Sequence, residues 1–164
     1  MRQVFSLLVD NTSGVLSRVA GLFSRRGYNI SSLTVGETAD PRYSRMTVVA
    51  EGDERILDQI RKQLAKLIDV VDIKVLNPET SVSRELVLVK IRVDEADRQS
   101  VLTTASIFRG NIVDVSPDSL IIELTGGASK LDAFLKLMSN YEILELARTG
   151  ITGLSRGSED VRYL

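Results

Sequence analysis

Val9-Asp10-Asn11-Thr12-Ser13-Gly14-Val15-Leu16 sets a short polar loop between an apolar run and an amphipathic one. Residues 3–9 before the loop are rich in β-branched and aromatic side chains and read as a strand. After it, Leu16, Val19 and Phe23 recur at helical spacing, with Val15 and Leu22 flanking the stripe. A helix therefore starts on the loop. Its first-turn N–H groups lack intrahelical partners and carry the positive end of the helix dipole, so residues 11–14 offer a seat for a carboxylate. Gly14 leaves room for a ligand to approach the backbone. The same residues also read as an ordinary helix start, with Asn11, Thr12 or Ser13 as N-cap and Gly14 as a loop residue.

Working outward, the helix spans residues 15–26, ends in Arg25 and Arg26 near its negative terminus, and stops at Gly27. Residues 28–35 and 43–50 read as strands joined by a turn that contains Asp40-Pro41, and Met46, Val48 and Ala50 share a face. Asp53 caps a second helix running to residue 68, with Leu57, Ile60, Leu64 and Leu67 as its buried stripe. Residues 70–75 form the next strand, with Val71, Ile73 and Val75 on one face. The order is β-α-β-β-α-β. Residues 77–83, which include Asn77-Pro78, read as a linker.

Beyond the linker the element order repeats. A strand at 84–93 leads to a helix marked by Val101, Ala105 and Phe108. Two strands follow around Ser116-Pro117-Asp118, then a helix after Gly126-Gly127 with Leu131, Phe134, Leu135 and Met138 on one face, and a closing strand at 143–147. The expected fold class is α+β: two ferredoxin-like units in tandem, each an antiparallel sheet with helices on one face. The expected domains are residues 1–76 and 84–164. In the first sheet, Phe5, Leu7 and Val9 or their alternates are left on the face without helices, which is too apolar to stay wet. A second subunit is expected to cover it.

Composition narrows the chemistry. The 164 residues hold 21 Lys plus Arg against 22 Asp plus Glu, so no overall field favours nucleic acid or an anionic membrane. Cysteine and histidine are absent, which removes disulfides, thiol nucleophiles, the commonest general base and the commonest transition-metal ligands. Catalysis would have to rest on carboxylates, lysine or tyrosine. No stretch reaches the 18 apolar residues of a membrane span, and the N-terminus runs straight into the first strand; the expected location is the cytoplasm.

Gly126-Gly127-Ala128-Ser129-Lys130 lacks phosphate-loop spacing and reads as a turn with a helix cap. Asp53-Glu54 and Asp94-Glu95 sit at helix starts, where acidic side chains are favoured electrostatically. Arg18, Arg25, Arg26, Arg42 and Arg45 raise the rival reading of a ferredoxin-like RNA-binding or transcriptional regulator. That mode needs aromatic side chains on the sheet, however, and aromatics make up 5% of the chain. Asn29, flanked by Tyr28 and Ile30, supplies a donor and an acceptor at the start of the second strand. If it meets the Asn11 loop, within one chain or across a dimer, the two form a small polar clamp suited to an amino acid. Helix-terminal N–H groups would take the carboxylate and amide oxygens the ammonium, with Val15, Leu16 or Ile30 lining the side-chain pocket.

The series Asn11-x-x-Gly14-x-Leu16-x-Arg18-Val19-x-Gly21-Leu22-Phe23, then Arg26-Gly27-Tyr28-Asn29-Ile30 and Ser32-Leu33-Thr34-Val35, resembles the regulatory (small) subunits of acetolactate synthase. The likeness continues through Ser44-Arg45-Met46-Thr47, Ile107-Phe108-Arg109-Gly110, Lys130-Leu131-Asp132-Ala133-Phe134 and Arg148-Thr149-Gly150. The resemblance implies an N-terminal ACT domain, homodimerisation through that domain, and a branched-chain amino-acid effector such as valine bound between subunits. Asn11, Gly14, Asn29 and Ile30 fall on its motif positions; Ser13, Val15 and Leu16 join them by adjacency. It further implies that this chain has no catalytic residue, no metal site and no cofactor of its own, and that it activates a separate catalytic (large) subunit, where thiamine diphosphate and a divalent metal reside.

Overall fold

The computed structural model describes residues 1–158. The chain divides into two compact units, one formed by Met1–Ser83 together with the described residues that follow Gly150, the other by Arg84–Gly150.

In the first unit β1 (Arg2–Asp10), α1 (Val15–Arg26), β2 (Ile30–Glu37), β3 (Tyr43–Glu51), α2 (Glu54–Ala65) and β4 (Val70–Leu76) follow in order. The sheet runs β2-β3-β1-β4, antiparallel throughout, which leaves β2 and β4 at its edges. Period-two alternation turns Phe5, Leu7 and Val9 of β1 and Met46, Val48 and Ala50 of β3 toward the helices. There they pack with Val15, Val19, Leu22 and Phe23 of α1 and with Leu57, Ile60 and Leu64 of α2. The Asp53 carboxylate accepts from the Ile56 N–H at 2.8 Å, the expected N-cap of α2. Val71 departs from the predicted face. The β1–β4 register slips between Leu8 and Val9, and Val71 in the bulge stays half exposed while Ile73 and Val75 pack inward.

The second unit repeats the plan with β5 (Ser81–Arg92, whose first three residues belong to the first unit), α3 (Glu95–Ile107), β6 (Asn111–Ser116), β7 (Ser119–Gly126), α4 (Ala128–Met138) and β8 (Glu142–Arg148). Its strands lie in the order β6-β7-β5-β8, so both sheets are ferredoxin-like. Val87, Val89 and Ile91 face Val101, Ala105, Leu131, Phe134 and Met138 in its core. On the opposite face, Lys90 pairs with Glu145 and Arg92 with Glu142 and Asp118, a solvated charge ladder without aromatic platforms.

Two expectations need correction. The stretch read as a linker at 77–83 is a tight connection: β4 ends at Leu76 and β5 already begins at Ser81, whose hydroxyl donates to the Asn77 carbonyl. Nor does the second unit extend from 84 to the C-terminus, because the chain returns to the first unit at Ile151. The returning segment holds a short strand absent from the sequence reading, β9 (Thr152–Ser155). It pairs with β5 at the latter's start, where the Arg156 N–H donates to the Thr80 carbonyl.

This return also changes what covers the first sheet. The helix-free face carries Ser6 and Leu8 of β1, Thr47 and Val49 of β3, and Leu76 of β4, all buried within the chain itself. Residues 151–155 lie on that face. The Ile151 N–H donates to Ser32 Oγ at 2.8 Å, the Ile151 carbonyl accepts from Thr34 Oγ1 at 3.0 Å, and β9 lies against β3 and β4. A second subunit is not needed to keep it dry. Gly153 makes the approach possible, since a Cβ there would stand 2.9 Å from Ser83 Oγ, 3.0 Å from Leu76 Cδ1 and 3.0 Å from the Val82 carbonyl oxygen. Gly153→Val is expected to destabilise the chain by about 1–3 kcal/mol, because the Val82 backbone cannot yield as a flexible side chain would. Urea unfolding followed by circular dichroism checks this, and an unchanged midpoint would show the strap to be loosely seated.

Candidate functional site

The loop after β1 is held from both sides. The Asp10 N–H donates to the Asp69 carbonyl at 2.9 Å and the Asn11 N–H to the Arg42 carbonyl at 2.8 Å. With the strand end fixed, Gly14 takes a left-handed conformation at φ 87° and ψ −9° and becomes the residue on which α1 starts. Its carbonyl accepts the Arg18 N–H at 2.9 Å, the first bond of the helix.

No side chain among the described residues caps this start. Asn11, Thr12 and Ser13 were candidates for that role and none of them fills it, so the first-turn amides of α1 stay available to a ligand. Asn11 instead turns sideways. Its Nδ2 donates to the Pro41 carbonyl at 2.8 Å and to Glu37 Oε2 at 3.3 Å, and its carboxamide oxygen has no donor among the described residues. Asn11, Ser13 and Gly14 are exposed and Leu16 is half exposed. Leu16 thus leaves the buried stripe predicted for it and becomes an apolar wall beside the seat. Val15 goes the other way: at 3% exposure its side chain belongs to the core, and its N–H is what it can offer a ligand.

Sequence reading missed the strongest electrostatic feature here. Arg18 lies over the start of α1 and grips Asp69 with two nitrogens, Nε to Oδ2 at 2.5 Å and Nη2 to Oδ1 at 3.1 Å. Asp69 is buried, and the Arg18 hydrogen bond holds its carboxyl below the usual carboxylate range against the opposing cost of desolvation. The two residues are 51 positions apart, so no local pattern announces the pair. The other arginines of the supposed basic patch scatter: Arg42 pairs with Asp40, and Arg45 donates to Ser6 Oγ.

Asn29 and Ile30 lie at the opposite end of the unit. Ile30 stands across from Ala50, and Ala50 across from Gln3 at the start of β1, whereas Asn11 follows the end of that strand. At the rise of a β-strand those eight steps span roughly 27 Å. Within one chain the clamp of Asn11 and Asn29 does not close. Asn29 is exposed, and Ile30 is half-buried against the core.

The first unit is thus a ferredoxin-like module whose first helix starts, without a side-chain cap, on a glycine at the end of β1. The comparisons with known proteins agree: residues 5–72 match the AHAS small subunit-like ACT domain, and residues 84–157 match the family described as the small subunit of acetolactate synthase. The chain belongs to the acetolactate synthase small-subunit family. It is 54% identical to the probable acetolactate synthase small subunit of Methanothermobacter thermautotrophicus over 94% of this chain and 93% of that one. It is 50% identical to the isozyme 3 small subunit of Escherichia coli over 99% and 100% of the two chains. The crystal structure of the small subunit from Thermotoga maritima superposes with a TM-score of 0.89 at 44% identity, covering 96% of this chain and 99% of that one. Among the described residues no helix is long and apolar enough to cross a membrane.

Proposed function

We propose that this chain is the regulatory, non-catalytic subunit of a cytoplasmic acetolactate synthase. It activates a catalytic subunit that holds thiamine diphosphate and a divalent metal, and it makes that subunit sensitive to valine or another branched-chain amino acid. The family supports the partnership. The observation that carries the regulatory reading is the open start of α1 under Gly14, beside an Asn11 whose carboxamide oxygen meets no donor among the described residues and can take an ammonium.

The site is completed by a second copy. β2 is an edge strand, and its last residue, Glu37, already touches Asn11. Antiparallel pairing of two β2 edges about a two-fold through the strand centre sets Ile30 of one copy opposite Glu37 of the other, which brings Asn29 to the Asn11 loop. Pairing through β4 would leave Asn29 on the far side of the sheet. The geometry that separates the two asparagines within a chain therefore unites them between chains, and gives two equivalent sites per dimer. Ligand bound there acts by favouring one state of the complex over another, and such coupling is usually about 1–3 kcal/mol.

Mixing subunits tests this. Asn11→Ala and Asn29→Ala homodimers are each expected to lose valine binding in calorimetry. After the two are exchanged together, about half of the dimers are mixed and each mixed dimer has one intact site, so binding returns at about a quarter of the wild-type stoichiometry. A mixture that binds nothing, from a wild type that binds valine, would overturn the shared site. The RNA-binding alternative finds no open aromatic surface, since the first sheet's free face is covered by residues 151–155 and the second carries ion pairs.

A further inference from the structure

The Arg18 guanidinium is tied down asymmetrically. Nε and Nη2 are both engaged by Asp69, while Nη1 has no acceptor among the described residues. Asp69 cannot follow a swinging arginine: it is 8% exposed, immediately precedes β4, and its carbonyl holds the Asp10 N–H of β1. The direction of Nη1 is therefore fixed by the sheet. It faces Gly14 so closely that a Cβ at that residue would stand 2.9 Å from it. The free nitrogen of a fixed guanidinium thus lies at the same place as the uncapped start of α1.

We infer that Arg18 reads the carboxylate of the bound amino acid, with Asp69 as the residue that positions it; the inference rests on the ligand seat proposed above. Nη1 donates to one carboxylate oxygen, and the first-turn amides of α1 hold the other. A guanidinium bridges two carboxylates readily, because its five N–H donors point along separate edges. Asp69 also limits the ligand. It already supplies one negative charge to the same guanidinium, so a monoanionic carboxylate is accommodated where a phosphate dianion would be repelled. Gly14 is the matching half of the device, since a side chain there would occupy the space between Nη1 and the helix start.

Calorimetry of the full chain with L-valine and with L-valinamide, which keeps the ammonium and side chain but lacks the carboxylate, separates this role from a structural one. The wild type is expected to prefer valine over valinamide at least thirtyfold. In Arg18→Gln, valine binding should weaken ten- to a hundredfold while valinamide binding stays within about threefold, so that the preference collapses. Asp69→Asn, which keeps the guanidinium and removes its anchor, should lower the preference three- to tenfold, and it carries the test if Arg18→Gln fails to fold. Equal loss of both ligands, or valine affinity within twofold of wild type in Arg18→Gln, would overturn the inference and leave the seat itself standing. A wild-type chain that binds neither valine, leucine nor isoleucine would overturn the seat and the role of Arg18 with it.

Discussion

Gly14→Asp is expected to abolish the proposed response to valine, with binding weakened at least a hundredfold in calorimetry and no inhibition of the assembled enzyme at ligand levels that inhibit the wild-type assembly. Three effects act together. The residue sits at φ 87°, where a side chain costs about 1–2 kcal/mol. A Cβ there meets Arg18 Nη1 at 2.9 Å. The new carboxylate then lies where the ligand's own would sit, and repels it. Gly14→Ala separates these contributions: it keeps the backbone strain and the crowding but brings no charge, and should show an intermediate loss. A Gly14→Asp variant inhibited at the wild-type midpoint would place the effector elsewhere. Thermal unfolding of both variants checks that the loss is not simply one of fold.

Phe134→Ala is expected to be the most damaging single change to stability, lowering it by about 3–5 kcal/mol. The ring is fully buried at the centre of the second unit and meets the edge of Phe108 at a centroid distance of 5.4 Å. Its removal leaves a cavity framed by elements that cannot collapse inward, because α4 is held between β7 and the charged network of Arg148. That arginine grips the buried Glu85 with two nitrogens and Asp132 of α4 with the third. Since Phe134 belongs to a unit with its own core, calorimetric melting should split, with the second unit unfolding first and the first retaining a transition near its original temperature. A single transition displaced by less than about 1 kcal/mol would show that the two units melt as one body and that the site repacks.

Much of this chain was legible from local signals. The apolar alternation of β1 and β3, the stripe of α2, the caps at Asp53 and Asp94, and Gly27 after Arg25 and Arg26 are decided by residues within one or two turns of each other, and all appear where those residues put them. The helix start at Gly14 was legible for the same reason, since a glycine between a strand and a helix is a local event. The exceptions have physical causes. Leu16 carries the helical period but lies on the first turn, above the edge of the core rather than over it. Val71 carries the strand period but falls in a bulge that the pairing register of β1 and β4 creates.

The sequence by itself determined two β-α-β-β-α-β units and a helix start on the loop of residues 11–14, because periodicity and turn residues are settled by neighbours along the chain; that no side chain caps this start came from the structure. The tertiary structure decided the partners. Asp69 reaches Arg18 across 51 residues, Ile151 returns to Ser32 across 119, and Asn29 is set roughly 27 Å from the Asn11 loop of its own chain. These outcomes depend on how strands are ordered in the sheet and where the last segment lies, and both follow from which apolar faces must be buried together. No short window of residues encodes that choice, since it is a property of the closed sheet.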